Sequence, residues 1–511
     1  MIYLKVKEFS TFFKITDPDP CVEDLAEDLS TVNFHTDEIE PYVYFYNEDK
    51  EIYRVPKGIG KEKLREYLNI NKIDKGGISK TDHRITFSMN NHPFKKQTKV
   101  IDKSFKHFQN NNNQVIINMP TGRGKTFTGI YLNHKLNRKA LVFVYENKLG
   151  EQWAEAYLEH TDVNEGNIVL IDGSSHILDL VEHGYQFQTF IVTHATVRSF
   201  IKRYGVKKFN EFLFNSGIAM KIYDEFDRES ANMFKVDCHT SLPYTLYLSA
   251  TPFRSSKYDD SAFQLAFEDV FQIGVEFYSD VTPNRDAEFI FYKSLPTDEE
   301  EDDIFQWRFN PKYKKNNSKK KWLNYFDRNK YHAFLLGFEE DYEPRKYLKR
   351  ALKKPMEDFK HSYNVDPTRK HIFCVGRIKN CMKMKKLLIK EFDIPRSDIS
   401  LYNSNTNNKD RALNKPFIIS LTTSMGRGLD LDNIYGIVDI EAYGSEVRFK
   451  QLIGRLGRVG GMKGHYYKLI DTSLFKTYSY YKKLKNHLDE FKNVRYEKIE
   501  CEEGDLPDED K

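Results

Sequence analysis

Residues 119–126, Met-Pro-Thr-Gly-Arg-Gly-Lys-Thr, constrain the fold more than any other part of the chain. An apolar segment typical of a buried β-strand (114–119) precedes them, and a segment of helical character (127–136) follows. Gly122 and Gly124 allow a tight loop whose N–H groups can surround phosphate oxygens, and the start of the helix adds its positive end. This order of strand, glycine loop and helix predicts a nucleotide-binding P-loop within an α/β domain.

The side chains of this loop suit a nucleoside triphosphate bound with magnesium. Lys125 is long enough to reach the β- and γ-phosphates, and the Thr126 hydroxyl is a candidate Mg²⁺ ligand. The remaining candidate contacts to the nucleotide are Thr121, Gly122, Arg123 and Gly124. Gly-Lys-Thr also occurs by chance in polar turns before helices, but here a strand and a helix flank it. We therefore predict a site for a nucleoside triphosphate and Mg²⁺.

Length and charge set broad limits on the protein. A chain of 511 residues is too long for a single core, so about two to four domains are expected. The net charge of +4 is too small to identify a nucleic-acid-binding protein by itself. Charge is concentrated locally, in a basic run at 312–321 and in an acidic end at 500–510. A solvated loop or a frayed end explains each run as well as contact with a charged partner does.

Cysteine usage and hydropathy predict the compartment. The five cysteines are scattered and form no Cys-x-x-Cys pair, so neither a zinc site nor a disulfide framework is expected. The first residues, MIYLKVKEFS, lack the layout of a secretory signal. No window approaches the ~18 consecutive apolar residues that indicate a membrane span. We expect a monomeric, cytoplasmic protein without a membrane partner.

The order of apolar and polar segments divides the chain into four predicted regions. Residues 1–88 form a small α+β domain, and residues 89–284 form a first α/β domain. Residues 285–472 form a second α/β domain with a polar and basic insertion at about 295–365, expected to be helical with a flexible lysine-rich loop. Residues 473–511 hold a closing amphipathic helix, with apolar residues at helical spacing up to Phe491, and an acidic tail.

Short apolar runs separated by helix-length stretches predict a parallel sheet in each α/β domain. Such strands are buried on both faces and therefore lack the alternation of half-exposed strands. The predicted strands of the first domain are 114–119, 140–145, 167–171, 190–193, 220–223 and 244–249. Those of the second are 288–292, 371–375, 399–402, 417–421, 436–440 and 465–469. The predicted fold class is α/β, with two parallel-sheet domains in tandem.

An acidic motif, Ile-Tyr-Asp-Glu-Phe-Asp at 222–227, follows one of these strands. The carboxyl ends of parallel strands meet at one edge of a sheet, so this motif is expected beside the P-loop. Asp224 can hold Mg²⁺ through water there, and Glu225 can polarise the water that attacks the phosphate. Acidic pairs are also common in surface turns, but the preceding strand favours the catalytic interpretation.

The sequence resembles superfamily 2 helicases and translocases in further motifs. Residues 248–254, Leu-Ser-Ala-Thr-Pro-Phe-Arg, resemble the third motif of that family, and residues 141–153, which end in Glu-Gln-Trp, resemble its Ia segment. Residues 193–196, Thr-His-Ala-Thr, are similar to its strand-contacting threonine motif. Residues 422–430 are similar to motif V, and residues 451–458, Gln-Leu-Ile-Gly-Arg-Leu-Gly-Arg, to motif VI. All of the matches follow the family's order.

The resemblance implies that ATP lies between two RecA-like domains, with motifs I and II on one side and motif VI on the other. Arg455 and Arg458 would then meet the γ-phosphate during hydrolysis, for which a planar and permanently charged guanidinium is suited. The residues implied to couple the nucleotide site to nucleic acid are Ser249, Thr251 and Gln451.

The resemblance also implies contacts with adenine, with the nucleotide and with nucleic acid. Gln97 is a candidate for the glutamine that selects adenine, although its spacing from Phe94 is not the usual one. Gly428 and Asp430 of motif V would support the nucleotide or the motif VI arginines. The implied contacts with nucleic-acid phosphates are Thr193, Thr196 and Thr422. Such contacts read no bases, so binding should be independent of sequence and sensitive to salt.

Details of the motifs favour DNA over RNA as the substrate. The second motif reads Asp-Glu-Phe-Asp, and Gln451 stands where DEAD-box RNA helicases have histidine. A small α+β domain before two motor domains resembles phage helicases of the UvsW type. That resemblance implies fork regression, branch migration and unwinding of D-loops or R-loops in replication, recombination or repair. An RNA helicase and a nucleic-acid scaffold without ATP hydrolysis are the alternatives. The scaffold is disfavoured by the intact Lys125, Asp224, Glu225 and Arg458.

Overall fold

The computed structural model describes most of the chain and divides it into two compact units, Met1–Asp280 and Val281–Lys511. The described residues are 4–16, 21–32, 39–47, 50–78, 84–110, 112–120, 122–183, 187–227, 230–250, 257–278, 284–309, 322–336, 346–425, 431, 433–457 and 462–499. Among these residues, no helix combines the length and the apolar character needed to cross a membrane. The two units are described separately below.

The first unit begins with a small mixed sheet. Its strands and helices are β1 (Lys5–Glu8), β2 (Phe12–Thr16), α1 (Cys21–Asp28), β3 (Ser30–Val32), β4 (Ile39–Pro41), β5 (Phe45–Asn47), β6 (Ile52–Pro56), α2 (Lys61–Leu68) and β7 (Asp74–Lys75). The sheet order is β5-β6-β2-β1-β7, and only the β1–β7 pair is parallel. Strands β3 and β4 form a separate antiparallel pair. Phe13 and Ile15 of β2 are fully buried and pack with Leu25 and Leu64 of the two helices.

The rest of the first unit is a seven-stranded parallel sheet with helices between its strands. The elements are α3 (Lys95–Gln109), β8 (Gln114–Asn118), α4 (Lys125–Leu136), β9 (Lys139–Val144), α5 (Asn147–His160), β10 (Ile168–Leu170), α6 (Gly173–His183), β11 (Thr189–Thr193), α7 (His194–Asn215), β12 (Ile218–Asp224), α8 (Ser230–Asp237), β13 (Tyr244–Ser249), α9 (Lys257–Phe267) and β14 (Phe271–Ile273). Their order in the sheet is β10-β11-β9-β12-β13-β8-β14. Every residue of β8, β9 and β12 is buried, as expected for central parallel strands.

The small sheet is joined to the parallel sheet by hydrogen bonds to the last residue of α8 and to the segment after it. The Thr11 hydroxyl contacts the carbonyl oxygens of Asp237 and Thr240 at 3.0 and 3.1 Å. Arg54 of β6 donates to the carbonyl oxygen of Cys238 over 2.9 Å. A backbone bond of 2.7 Å from Asp269 to Gly58 adds a second point of attachment beyond α9. The described parts of residues 4–78 therefore pack into the first unit.

The second unit contains another seven-stranded parallel sheet. Its elements are β15 (Arg285–Tyr292), α10 (Asp298–Ile304), β16 (Phe305–Phe309), β17 (Trp322–Phe326), α11 (Arg328–Leu336), α12 (Lys346–Val365), β18 (Lys370–Val375), α13 (Ile378–Phe392), β19 (Ile399–Tyr402), α14 (Lys409–Leu413), β20 (Phe417–Leu421), α15 (Thr422–Met425), β21 (Ile434–Asp439), α16 (Glu446–Ile453), β22 (Gly464–Asp471), α17 (Phe475–Leu484) and β23 (Asn493–Lys498). The sheet order is β19-β20-β18-β21-β22-β15-β23.

The predicted fold class is confirmed, with a small N-terminal mixed sheet and two parallel sheets. Three features were not predicted. Strand β14 adds an edge to the first sheet, and β23 adds an edge to the second one after α17 has ended at Leu484. Strands β16 and β17 form an antiparallel pair within the insertion that the sequence predicts to be helical. The lysine-rich run 312–321 and the acidic tail 500–510 lie outside the described residues.

Candidate nucleotide-binding site

The loop between β8 and α4 has the conformation that a phosphate-binding loop requires. Gly122 and Gly124 have φ values of 72° and 78°, in the left-handed region that glycine adopts without strain. Gly124 directly precedes α4, so the N–H groups of the first helical turn point towards the loop. The N–H of Arg123 donates to the carbonyl oxygen of Pro120 over 3.3 Å and closes the turn. The loop thus presents a helix N-terminus to an anion. Thr121 lies outside the described residues.

The acidic motif lies at the same edge of the sheet as this loop. Strand β12 ends at Asp224, and only β13 lies between β12 and β8. The Nζ atom of Lys125 is 3.2 Å from Oε1 of Glu225, with side chains only 9% and 19% exposed. Glu225 has a φ of 50°, an uncommon value for a residue with a Cβ atom, and it turns the chain sharply after the strand. The structure thus brings Lys125, Asp224 and Glu225 together.

Two hydrogen bonds fix the Asp224 carboxylate. The backbone N–H of Glu225 donates to Oδ1 over 3.1 Å, and the indole N–H of Trp153 on α5 donates to Oδ2 over 2.9 Å. Burial raises the pKa of Asp224 to about 6, and the neighbouring Glu225 carboxylate adds to the rise. Lys125 and the Trp153 hydrogen bond act in the opposite direction on this pKa. The carboxylates of Asp224 and Glu225 together therefore carry more negative charge than Lys125 alone can neutralise.

The residues at this edge fit a magnesium ion. Oε2 of Glu225 is buried and, within the part of the chain that the structure describes, has no hydrogen-bond partner. A buried carboxylate oxygen without a partner is costly, and a nearby cation would remove that cost. Thr126 at the start of α4 and Asp224 at the end of β12 are the predicted ligands. No group of three or more acidic, histidine or cysteine side chains is placed to enclose a metal among the described residues. This is compatible with Mg²⁺, which usually takes only one or two ligands from the protein when phosphates and water complete its coordination shell.

The serine of the third motif is connected to the acidic motif. Ser249 ends β13, is fully buried, and donates from Oγ to Oδ1 of Asp227 over 2.6 Å. The carbonyl oxygen of Ser249 also accepts the N–H of Met119, the first residue of the P-loop run, over 3.0 Å. Ser249 therefore contacts both the first residue of the P-loop run and the last residue of motif II. Thr251 lies outside the described residues.

Gln97 lies beside the P-loop, where both ends of its amide group are engaged. Its Oε1 atom accepts the backbone N–H of Phe94 over 2.9 Å and so caps α3. Its Nε2 atom donates to the carbonyl oxygen of Arg123 over 3.1 Å. The side chain is 5% exposed, whereas the adjacent Phe94 ring is 79% exposed. Gln97 thus holds the loop in place, and its predicted contact with adenine stays a prediction.

The threonines predicted to contact nucleic acid have different local roles. Thr193 is the residue before α7, where its Oγ1 atom accepts the N–H of Thr196 over 3.1 Å, and the two hydroxyl groups lie 2.9 Å apart. In the second unit, Thr422 begins α15 and is fully buried; among the described residues its hydroxyl has no hydrogen-bond partner. The contacts of these three threonines with nucleic acid stay predictions.

Motif VI begins on α16 of the second unit. Gln451 lies in the last turn of that helix, and Arg455 follows the helix, with its N–H donating to the carbonyl oxygen of Leu452 over 3.2 Å. Both side chains are half-buried. Gly428, Asp430 and Arg458 lie outside the described residues. The roles of these residues in hydrolysis and coupling stay predictions.

Sequence reasoning missed two residues of this cluster. Trp153 and Asp227 both lie within motifs that the sequence reveals, as the end of the Glu-Gln-Trp segment and the end of the Asp-Glu-Phe-Asp motif. Neither residue type suggests a role by itself, because a tryptophan in an amphipathic helix is usually a core residue. Their hydrogen bonds to Asp224 and Ser249 become visible only in three dimensions.

The chain is similar to known helicases in sequence motifs and in fold. Residues 90–254 match the family model described as type III restriction enzyme, res subunit. No curated protein matches the sequence significantly. The structure of Mss116p bound to ssRNA and AMP-PNP is 16% identical, with a TM-score of 0.50 over 81% of this chain and 78% of that chain. At this identity the likeness to Mss116p is one of fold.

Two further solved structures are similar at lower TM-scores. The Hef helicase domain of Pyrococcus furiosus is 14% identical, with a TM-score of 0.44 over 76% of this chain and 98% of that chain. T4 UvsW is 14% identical, with a TM-score of 0.34 over 97% of this chain and 99% of that chain. The restriction-subunit match covers the P-loop, the acidic motif and Ser249, which the structure places side by side. Residues 90–254 therefore match the model of a restriction enzyme subunit, and the chain has the fold of superfamily 2 ATP-dependent helicases.

Proposed function

We propose that this protein hydrolyses ATP and uses the reaction to move along and remodel branched DNA. The observation that carries the proposal is the cluster of Lys125, Glu225 and Asp224 at one edge of the first parallel sheet. A nucleic-acid scaffold would not need a buried lysine beside two carboxylates. Such a cluster is costly to bury, and it is typical of sites that handle phosphate and a metal ion.

The geometry suggests how this chain's own residues act. The ion pair with Glu225 holds Lys125 at the loop. A bound triphosphate would attract Lys125 to its β- and γ-phosphates, and Glu225 would then be free to accept a proton from the attacking water. Thr126 and Asp224 would hold Mg²⁺, which supplies positive charge to the phosphates when bound. The predicted contribution of Arg455 and Arg458 is to stabilise charge on the γ-phosphate.

DNA, rather than RNA, is the substrate that the sequence supports. The second motif and Gln451 differ from the DEAD-box pattern, and the matched family model is that of a restriction enzyme subunit. Fork regression, branch migration and unwinding of D-loops or R-loops are the proposed reactions. An ATPase assay with forked DNA, a four-way junction, duplex DNA and single-stranded RNA tests the substrate class. Stimulation by RNA alone would refute the proposal for DNA.

Two substitutions test the site itself. Lys125→Ala and Glu225→Gln should each abolish nucleic-acid-stimulated ATP hydrolysis and leave DNA binding largely intact. The matched control is Lys135→Ala, in the last turn of the same helix, where the lysine makes a partly exposed ion pair with Asp102. This control should hydrolyse ATP at the wild-type rate. Unchanged turnover in either of the first two variants would show that the assigned site is wrong.

A further inference from the structure

We propose that Trp153 is a positioning residue that holds the Asp224 carboxylate in place for Mg²⁺. This inference rests on the proposed function, because it assigns to Asp224 the role of a metal-binding carboxylate. The indole of Trp153 is 1% exposed, and its N–H donates to Oδ2 of Asp224 over 2.9 Å. An indole nitrogen can only donate, so this bond fixes which oxygen faces α5.

The indole also connects the two halves of the site. A Cβ atom on Gly129 of α4 would lie 3.0 Å from Cη2 of Trp153 and 3.2 Å from Leu248 on β13, so the ring contacts α4 where that helix has no side chain. Helix α4 begins with Lys125 and Thr126, whereas Asp224 ends β12. Trp153 is thus in contact with the helix of the P-loop and with the carboxylate of the acidic motif. Without the indole, the distance between the P-loop helix and the Asp224 carboxylate would be less tightly fixed.

The two hydrogen bonds to Asp224 have different sensitivities to substitution. The bond to Oδ1 comes from the backbone of Glu225 and persists in side-chain variants. The bond to Oδ2 depends on the Trp153 side chain alone among the bonds that the structure describes for this oxygen. Partners that orient a metal ligand typically contribute a factor of about 10–100 in metal affinity or activity. We expect an effect of this size when the indole N–H is lost.

The test compares nucleotide binding with and without Mg²⁺. A fluorescent ATP analogue is titrated into wild type and Trp153→Phe, once in excess Mg²⁺ and once in EDTA. Trp153→Phe should bind the analogue in EDTA as wild type does, but it should lose about 10-fold or more of the affinity that Mg²⁺ adds. In excess Mg²⁺ the KM for ATP should rise in line with this lost affinity, and the turnover number should fall as well. Equal gain from Mg²⁺ in both proteins would overturn the proposal.

Two further variants separate positioning from packing. Tyr157→Phe removes another buried hydrogen bond from the same helix, from the Tyr157 hydroxyl to Oδ1 of Asn133 at 3.1 Å, and should keep the full effect of Mg²⁺. Benzothienylalanine at position 153 keeps the ring shape and replaces the N–H by sulfur, so it should lose that effect even if Trp153→Phe folds poorly. A benzothienylalanine variant with wild-type behaviour would reduce Trp153 to a packing residue.

Asp224→Asn distinguishes the failure of this inference from failure of the proposed function. If Mg²⁺ strengthens binding of the analogue to wild type and Asp224→Asn abolishes this gain, the metal site is as proposed. An unaffected Trp153→Phe would then refute the positioning role alone. If Mg²⁺ has no effect on wild type, the proposed nucleotide site itself is wrong, and the positioning role is refuted with it.

Discussion

The first unit contains a buried ion pair whose disruption we expect to cost much of the stability of that unit. Lys221 on β12 is fully buried and bonds to Oδ1 of Asp237, which is 2% exposed. Asp237 also accepts the hydroxyl groups of Tyr223 over 2.6 Å and Tyr247 over 2.9 Å. Burial lowers the pKa of Lys221, and the Asp237 carboxylate opposes that change. The ammonium group therefore depends on this carboxylate to remain charged.

Asp237→Asn removes the counter-charge and leaves the lysine in a dry site. Breaking a buried pair from one side costs about 3–5 kcal/mol, a large part of the ~5–15 kcal/mol that stabilises a typical domain. The double variant Lys221→Met/Asp237→Asn removes both charges and keeps similar volumes. Replacing a buried pair in this way is often neutral, so we expect the double variant to lie within about 2 kcal/mol of wild type. The pair should thus show a coupling energy of more than ~2 kcal/mol.

The assay uses Trp153 as a reporter of the first unit. The chain has three tryptophans, at positions 153, 307 and 322. In a Trp307→Phe/Trp322→Phe background, urea unfolding followed by fluorescence reports on the unit that contains Asp237. The control is Glu268→Gln, which removes a surface ion pair with Lys63 and should cost less than about 1 kcal/mol. The reasoning would be refuted if Asp237→Asn lowered the free energy of unfolding as little as this control does. It would also be refuted if the effects of the two single substitutions added up to that of the double variant.

Two other substitutions should act through charge and backbone conformation. His194 is 2% exposed, neither ring nitrogen has a partner among the described residues, and burial lowers its pKa to about 3. The neutral ring stabilises the fold above pH 6.5, and this contribution is lost as the pH falls towards 3. In this range the His194 ring should make the free energy of unfolding fall by about 1.4 kcal/mol per pH unit. His194→Phe should remove this dependence. The measurement is urea unfolding of wild type and His194→Phe at pH 7.5 and 5.0. An equal change in the free energy of unfolding between these pH values in both proteins would contradict the prediction. Gly124→Ala should weaken nucleotide binding for two reasons. A residue with a Cβ atom at a φ of 78° costs about 1–2 kcal/mol, and that atom would clash with Nε2 of Gln97. Wild-type affinity of the variant for the ATP analogue would show that the loop tolerates the change.

The central strands could be predicted from the sequence because burial on both faces makes them continuous apolar runs. The predicted strands 244–249, 399–402 and 417–421 agree residue for residue with β13, β19 and β20. Most of the other predicted strands differ by one or two residues at an end, where polar residues such as Arg285 and Lys139 are buried in spite of their charge. Burial of such residues depends on partners from other elements, which a local pattern does not contain.

The edge strands could not be predicted in the same way. Strand β23 reads Asn-Val-Arg-Tyr-Glu-Lys and is mostly exposed or half-exposed, so it has neither a continuous apolar run nor a clean alternation. It belongs to the sheet because its backbone pairs with β15 in parallel register. Strand β14 is only three residues long and pairs with β8. In both cases, backbone hydrogen bonding to a distant strand decides the structure, and side-chain pattern contributes little.

The site shows the same division between local and distant information. The positive φ values of Gly122 and Gly124 and the start of α4 at Lys125 could be predicted, because these residues are close in sequence and their spacing reflects one local conformation. The bond from Trp153 to Asp224 and the bond from Ser249 to Asp227 join residues 71 and 22 positions apart. Such bonds depend on the order of strands in the sheet. The sequence therefore predicts which groups carry charge, whereas the fold decides which groups orient them.

The attachment of the N-terminal sheet bears on how that region can act. Thr11 and Arg54 bond to the carbonyl oxygens of residues 237, 238 and 240, and the side chain of Asp237 bonds to Lys221 and Tyr223 on β12. Strand β12 ends at Asp224. Independent motion of the N-terminal sheet would have to break buried hydrogen bonds, which are costly to leave without partners. We therefore expect this sheet to move with the first parallel sheet, so that a force on it acts on the strand that carries Asp224.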